Sequence, residues 1–220
     1  MVWGHGRPRQ LSGFPDSGVV TGTPVCEGEA LAEISRETVY FAQPGRGNTD
    51  RVLELARLRA VELGIRNIVV PTSTGETGVR ALAAFPGFHL VVVSHSTGFT
   101  APDVQELLPE HRQALLAGGA SLVTTTHAFG GVGRSVRRRL NTFQVDEIIA
   151  HTLRVLGEGL KVACEVTMMA ADAGLIRVSD EAIALGGTGH GVDTAVVLKP
   201  ANVQDFFSLR IKEIICKPRL

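Results

Sequence analysis

The sequence is poor in cysteine, in aromatic residues and in net charge, and each shortage argues against a class of protein. It holds three cysteines in 220 residues, none of them in a CxxC pair, so we expect neither a disulfide framework nor a structural zinc site. Aromatic residues make up 5%, and 22 basic side chains are balanced by 22 acidic ones. Few aromatic platforms and no basic excess argue against a nucleic-acid partner.

Long hydrophobic runs are missing as well. No apolar stretch approaches the roughly 18 residues that a membrane-spanning helix needs, and the first residues lack the continuous apolar segment of a secretory signal. We therefore expect a soluble, cytoplasmic protein without a membrane partner. Hydrophobic residues nevertheless reach 44%, which is enough to build a folded core.

The chain divides into an arm and a domain. Residues 1–37 are rich in glycine and proline and show no helical or strand periodicity, so we predict a poorly ordered N-terminal arm. An upstream start codon or vector-derived residues would also explain this segment. At roughly 100–200 residues per domain, residues 38–220 are predicted to form a single domain.

Strand and helix patterns alternate along this domain, which predicts an α/β fold with a mostly parallel sheet. The predicted strands cover residues 38–42, 65–71, 90–94, 121–126, 182–185, 195–198 and 211–216. The predicted helices cover residues 48–64, 75–85, 104–118 with an expected break at Pro109, 145–156 and 160–173.

The loop after the second strand contains four hydroxyl side chains within six residues. They belong to Thr72, Ser73, Thr74 and Thr77, at the predicted start of a helix, where free N–H groups and the helix dipole favour an anion. No Walker lysine follows, so this is not a P-loop. The loop is either a phosphate site or an ordinary helix cap, for which a single hydroxyl suffices.

Other loops at the same sheet edge carry further candidates. His127 follows the fourth strand and is a proton donor, a ligand contact or a side chain that covers the sheet edge. The turn containing Thr97, Gly98 and Phe99 is a weak candidate by itself. The glycine-rich stretch 186–194 is either a tight turn between strands or a backbone wall against a flat or anionic ligand.

The segment 129–139 interrupts the alternation of strands and helices. Three glycines precede or flank four arginines there, which is compatible with a mobile lid that closes over a phosphate or with a solvated surface loop. Cys164, in the helix predicted over 160–173, is interpreted as a small core residue rather than a nucleophile.

From about Val39 to Arg219 the chain resembles the stand-alone proteins of the pyruvate kinase C-terminal-domain-like family. The matching stretches are collinear and include STGETGVRAL, VVVSHSTGF, TTTHAFGGVGRS and ALGGTGHGVDTAVVLKPA. The resemblance implies a three-layer α/β sandwich with a mostly parallel central sheet. It does not imply pyruvate kinase activity, because that enzyme's catalytic site lies in a barrel domain that has no counterpart in the matched stretches.

The resemblance also implies a ligand. Stand-alone members look like flavin mononucleotide (FMN) binders without a settled reaction, whereas in pyruvate kinase the similar loops hold a sugar bisphosphate. The expected function is therefore the binding of a small phosphorylated ligand, FMN before all others, with a regulatory sensor of a sugar phosphate or nucleotide as the alternative. Whether the chain is an enzyme or a homo-oligomer stays open. The expected ligand-binding residues are Thr72, Ser73, Thr74, Gly75, Thr77, Thr97, Gly98, Phe99, His127, Gly187, Thr188, Asp193 and Thr194.

Overall fold

The computed structural model describes residues 33–219. Most of the predicted arm, residues 1–32, lies outside the described residues. Residues 33–38 have no regular secondary structure, and the first strand begins at Val39, one residue after its predicted start.

The described residues contain seven strands and six α-helices. The strands are β1 (Val39–Phe41), β2 (Asn67–Thr72), β3 (His89–Ser94), β4 (Ser121–Thr124), β5 (Ala182–Gly186), β6 (Thr194–Lys199) and β7 (Arg210–Pro218). The helices are α1 (Thr49–Leu63), α2 (Glu76–Ala84), α3 (Pro109–Ala117), α4 (Val132–Leu140), α5 (Val145–Arg154) and α6 (Glu158–Asp172), with short 3-10 turns at Arg46–Asn48 and Val203–Ser208.

All seven strands form one sheet in the order β1-β7-β6-β5-β2-β3-β4. Only β6 runs against its neighbours, β5 and β7; the other pairs are parallel. The α/β fold with a mostly parallel central sheet is therefore confirmed.

Two aliphatic cores cover the two faces of the sheet. Alternate residues of β2 divide between them: Ile68 and Val70 pack with α1, α2 and α3, while Val69 packs with α5 and α6. Cys164 of α6 belongs to the second core, where burial raises the pKa of its thiol to about 12. It is thus a packed core residue, as its sequence context indicates.

Two helix predictions need correction. Helix α3 begins at Pro109 and not at residue 104, because proline has no N–H to donate and its fixed φ suits the first helical position. The segment 129–139 is not an irregular loop, since Val132–Leu140 forms α4. Arginine is a good helix former, and Arg137 forms an ion pair with the buried Glu147 of α5.

The glycines around α4 lie close to charged side chains. A Cβ at Gly133 would lie 2.5 Å from a carboxylate oxygen of Asp146, and one at Gly130 would lie 2.6 Å from a guanidinium nitrogen of Arg134. Both contacts are closer than real Cβ atoms make, but the atoms concerned are the ends of flexible side chains, so a larger residue would require those side chains to shift.

No helix among residues 33–219 is long and apolar enough to cross a bilayer. This finding concerns the described part of the chain alone.

We expect Gly186→Ala to destabilise the fold strongly. A Cβ at Gly186, at the end of β5, would lie 1.8 Å from the carbonyl oxygen of Gly159 in the first turn of α6, and backbone atoms cannot move away cheaply. Overpacking of this kind costs on the order of 1–3 kcal/mol. Gly47→Ala is the matched control, because its Cβ would meet nothing within 4 Å. Thermal unfolding should show a clearly lower midpoint for Gly186→Ala alone. Equal midpoints for the two variants would contradict the close approach of α6 to β5.

Candidate functional site

A cavity of about 250 Å³ lies at the carboxyl edge of the sheet. The parallel strands β5, β2, β3 and β4 all end there. The chain leaves β2 through α2 on one face, whereas it enters β5 from α6 on the other face. Such a change of side opens a crevice between two adjacent strands, and this crevice is where α/β sheets bind their ligands.

The hydroxyl-rich turn after β2 forms one side of the cavity. The Thr72 hydroxyl accepts the N–H of Gly75 at 3.0 Å, so this single side chain serves as a local cap. Within residues 33–219, the hydroxyls of Ser73, Thr74 and Thr77 make no hydrogen bond with the chain. They are free for a ligand, together with the first N–H groups of α2, which have no partner inside the helix.

The turn is held in place by α3. His111 donates from Nδ1 to the carbonyl oxygen of Thr74 at 2.8 Å, and the N–H of Leu108 donates to the same oxygen at 3.1 Å. Gly75 has a φ of 101°, and a Cβ there would lie 2.3 Å from Cβ of His111. Glycine is therefore required both for the backbone conformation and for the close approach of α3.

Aromatic rings form the opposite side of the cavity. The rings of Phe99 and His127 are stacked, with centroids 4.7 Å apart and an interplanar angle of 13°. His95 lies against Phe99 at 4.2 Å, and the Arg134 guanidinium lies 4.8 Å from the centre of the Phe99 ring. We call this cluster of three rings and one guanidinium the aromatic wall; groups of this kind interact favourably with a planar ring system.

A buried ion pair stands behind this wall. Lys161 contacts the carboxylate of Glu165 one turn along α6, and both side chains are almost fully buried. The second carboxylate oxygen of Glu165 accepts the N–H of Phe129 at 3.1 Å and lies 3.9 Å from Nδ1 of His127. Glu165 thereby ties α6 to the loop that carries His127.

His127 is neutral at physiological pH. Burial lowers its pKa to about 4, with Glu165 opposing the shift and nearby cations adding to it. Its Nε2 atom is buried and has no hydrogen-bond partner among the described residues. A buried polar atom without a partner is costly, so this nitrogen is a natural contact for a bound molecule.

The glycine-rich loop after β5 closes the cavity on the side of β5. Its shape depends on Asp193, a fully buried carboxylate that accepts the N–H groups of Thr188 and Gly45 and the hydroxyl of Thr194. Asp193 and Thr194 therefore hold the loop, and Gly187 and the neighbouring Gly189 and Gly191 line the cavity in their place.

The structure brings together about half of the predicted ligand residues. Those that line the cavity are Thr72, Ser73, Thr74, Thr77, Phe99, His127 and Gly187. Those outside its lining are Gly75, Thr97, Gly98, Thr188, Asp193 and Thr194, of which Gly98 lines an adjoining cavity. A ligand contact by these six stays a prediction.

The expected ligand residues leave out the charged residues of the cavity, above all Lys161, Glu165 and Arg134, although Arg134 belongs to the segment 129–139 for which a lid over a phosphate was one interpretation. One signal was available for the first two: they stand four residues apart in an otherwise apolar helix, so they share one face. Nothing in the sequence places Arg134 beside Phe99, because that contact depends on how α4 packs.

These features define an α/β domain with a ligand crevice at the carboxyl edge of its sheet. The model of the pyruvate kinase alpha/beta domain matches residues 50–198, and the chain belongs to that family. The chain is also similar to the crystal structure of Cryptosporidium parvum pyruvate kinase, at 14% identity and a TM-score of 0.36. That match covers 70% of this chain but only 22% of the pyruvate kinase chain.

We expect the neutrality of His127 to produce a pH-dependent stability. Its pKa is about 4 in the folded protein and about 6.5 when unfolded, so between these values the unfolded state binds more protons. Stability should therefore fall as the pH drops from about 6.5 to about 4, by up to about 3 kcal/mol from this residue. Urea unfolding at several pH values should show that the free energy of unfolding falls less with decreasing pH for His127→Gln than for the wild type. Parallel curves for the two proteins would contradict the low pKa.

Proposed function

We propose that this protein binds FMN at the carboxyl edge of its sheet, with the phosphate on the hydroxyl-rich turn and the ring system toward the aromatic wall. The observation that carries this proposal is that both features line one cavity. The membership in the pyruvate kinase alpha/beta domain family is compatible with a phosphorylated ligand and does not specify a flavin.

The phosphate end is supported by the start of α2. Ser73, Thr74 and Thr77 offer hydroxyls that bind nothing else in the described chain, and the helix dipole adds a positive field. Glu76 also lines the cavity, but its carboxylate is exposed and lies 3.8 Å from the guanidinium of Arg80, which reduces its repulsion of a phosphate.

The ring end is supported by the stacked pair Phe99 and His127 and by the Arg134 guanidinium. FMN is an elongated molecule, and about 250 Å³ is slightly below the ~300–1,000 Å³ usual for small-molecule sites. A second cavity of about 400 Å³ adjoins the first and shares Phe99, His127 and Arg134 with it. The residues present thus fit a ligand that extends from the α2 turn to the shared wall.

Bound FMN would supply redox chemistry, and this chain's residues would orient it. Nε2 of the neutral His127 is available for one hydrogen bond to the ligand. Lys161 places a positive charge close behind the wall, although its pairing with Glu165 offsets most of that charge. We assign no reaction and no catalytic residue.

A regulatory module that senses a sugar phosphate or a nucleotide is the second candidate. It is favoured by the polar residues Arg154, Glu158 and His190 in the cavity lining, because such side chains suit the hydroxyls of a sugar. In this case the hydroxyl-rich turn holds the same phosphate, and the aromatic wall is left without a flavin.

We expect FMN to bind more tightly than riboflavin and than a sugar bisphosphate. The phosphate adds contacts with the α2 turn, and the flavin ring adds contacts with the aromatic wall. Calorimetric titration of the purified chain measures the affinities for all three molecules. Mass spectrometry of molecules released on denaturation identifies any ligand that co-purifies. Preference for the sugar bisphosphate supports the regulatory candidate, whereas binding of riboflavin as tightly as FMN contradicts the phosphate site.

Thr77→Val is expected to weaken FMN binding while riboflavin binding stays unchanged. The substitution keeps the shape but removes one donor to a charged group, which costs about 1–3 kcal/mol. Thr100→Val is the matched control, because Thr100 is exposed and lies outside the cavity lining. Equal affinities for FMN in all three proteins would remove Thr77 from the phosphate site.

A further inference from the structure

The second cavity has a wall of its own. Its lining includes the first turns of α4 and residues from the loops after β3 and β4, among them Ser96, Thr126, Ser135 and Arg138. The first cavity contains none of these four residues. Phe99, His127 and Arg134 line both cavities, so the two adjoin at these residues.

The charges around the second cavity are unbalanced. Two arginines line it, the half-buried Arg134 and the exposed Arg138, and no aspartate or glutamate does. Within residues 33–219, neither of these arginines lies within ion-pair distance of a carboxylate, whereas Arg137 between them pairs with Glu147. A cavity with two arginines and no acid attracts an anion.

Arg134 carries the strongest part of this argument. It is half-buried, and the glycine at 130 lets its guanidinium lie against the backbone. Burial lowers the pKa of Arg134, with the charges of Arg137 and Arg138 adding to the effect. A desolvated guanidinium without a carboxylate partner is stabilised by any anion that reaches it.

The cavity also supplies donors for an anion. The hydroxyls of Ser96, Thr126 and Ser135 belong to residues that line it, and the buried Nε2 of His127 lacks a partner in the described chain. The planar, forked guanidinium group matches the geometry of carboxylate and phosphate oxygens.

We propose that the second cavity is an anion-binding subsite that takes the carboxylate or phosphate group of a small molecule. This subsite is separate from the hydroxyl-rich turn at α2. It depends on α4 and its arginines and does not require FMN in the first cavity. Because Phe99, His127 and Arg134 line both cavities, a small acidic molecule in the second cavity would lie beside the same aromatic rings.

The test follows backbone amide signals of the full chain by NMR while inorganic phosphate or acetate is added at constant ionic strength. We expect saturable shifts for Gly130, Gly131 and the first residues of α4. A larger response to acetate assigns a carboxylate and a larger response to phosphate assigns a phosphate group. No response in this segment to either ion would overturn the subsite.

Four variants separate the two cavities. Arg138→Gln should weaken anion binding at α4 about tenfold, as expected for one charged hydrogen bond, and leave the α2 turn unaffected. Arg139→Gln removes the same charge one residue further on, at an exposed position outside both linings, and should change neither response. Arg134 lines both cavities, so Arg134→Met should weaken the response at α4 and the response at the α2 turn. Thr77→Val should weaken only the response at the α2 turn.

The outcomes distinguish this subsite from the FMN proposal. Equal effects of Arg138→Gln and Arg139→Gln would mean general attraction to a basic helix and would overturn the subsite. A response at α4 without one at residues 73–77 would leave the subsite standing and contradict the phosphate site of the proposed function.

Discussion

Glu165 is the residue on which the geometry of the site depends. It is a buried carboxylate in the middle of α6. It forms an ion pair with Lys161, accepts the N–H of Phe129 and lies 3.9 Å from Nδ1 of His127. Removing one partner of a buried ion pair leaves an uncompensated charge and costs several kcal/mol. The loop after β4 is therefore fixed to α6, and with it the aromatic wall and the starting point of α4.

A second constraint is the close approach of α6 to the sheet. Gly159 and Gly186 bring the first turn of α6 against the end of β5, so Lys161 and Glu165 stand at the sheet edge rather than deep in the core. Asp193 fixes the glycine-rich loop by the same principle, since one buried carboxylate accepts three donors. The walls of the cavity are thus held by buried carboxylates that a ligand does not need to touch.

The two cavities offer an anion two different kinds of contact. At α2, residues with uncharged hydroxyls line the cavity at a helix start, and their advantage for the proposed ligand is geometric fit to a phosphate. At α4, two guanidinium groups lack acidic partners among residues 33–219, and their advantage is charge. Phe99, His127 and Arg134 belong to both linings, so the two sets of groups adjoin the same three side chains.

The sequence by itself predicted the strands, most of the helices and the loops that meet at the sheet edge, because these depend on local periodicity, glycine stops and the rule that parallel strands end together. It also located the hydroxyl-rich turn, since four hydroxyls at a helix start form a local pattern. It gave the start of α3 and the whole of α4 incorrectly: Pro109 begins the former, and the arginines of the latter fold as a helix because α5 supplies Glu147.

The tertiary structure alone decided which of these residues line the cavity. Asp193 and Thr194, which the resemblance implies as ligand residues, lie outside the lining, and their side chains form hydrogen bonds within the loop itself. Lys161, Glu165 and Arg134 came to the site through the packing of α6 and α4, and the lowered pKa of His127 comes from burial. Contacts between residues far apart in the chain set all of these, so no local pattern encodes them.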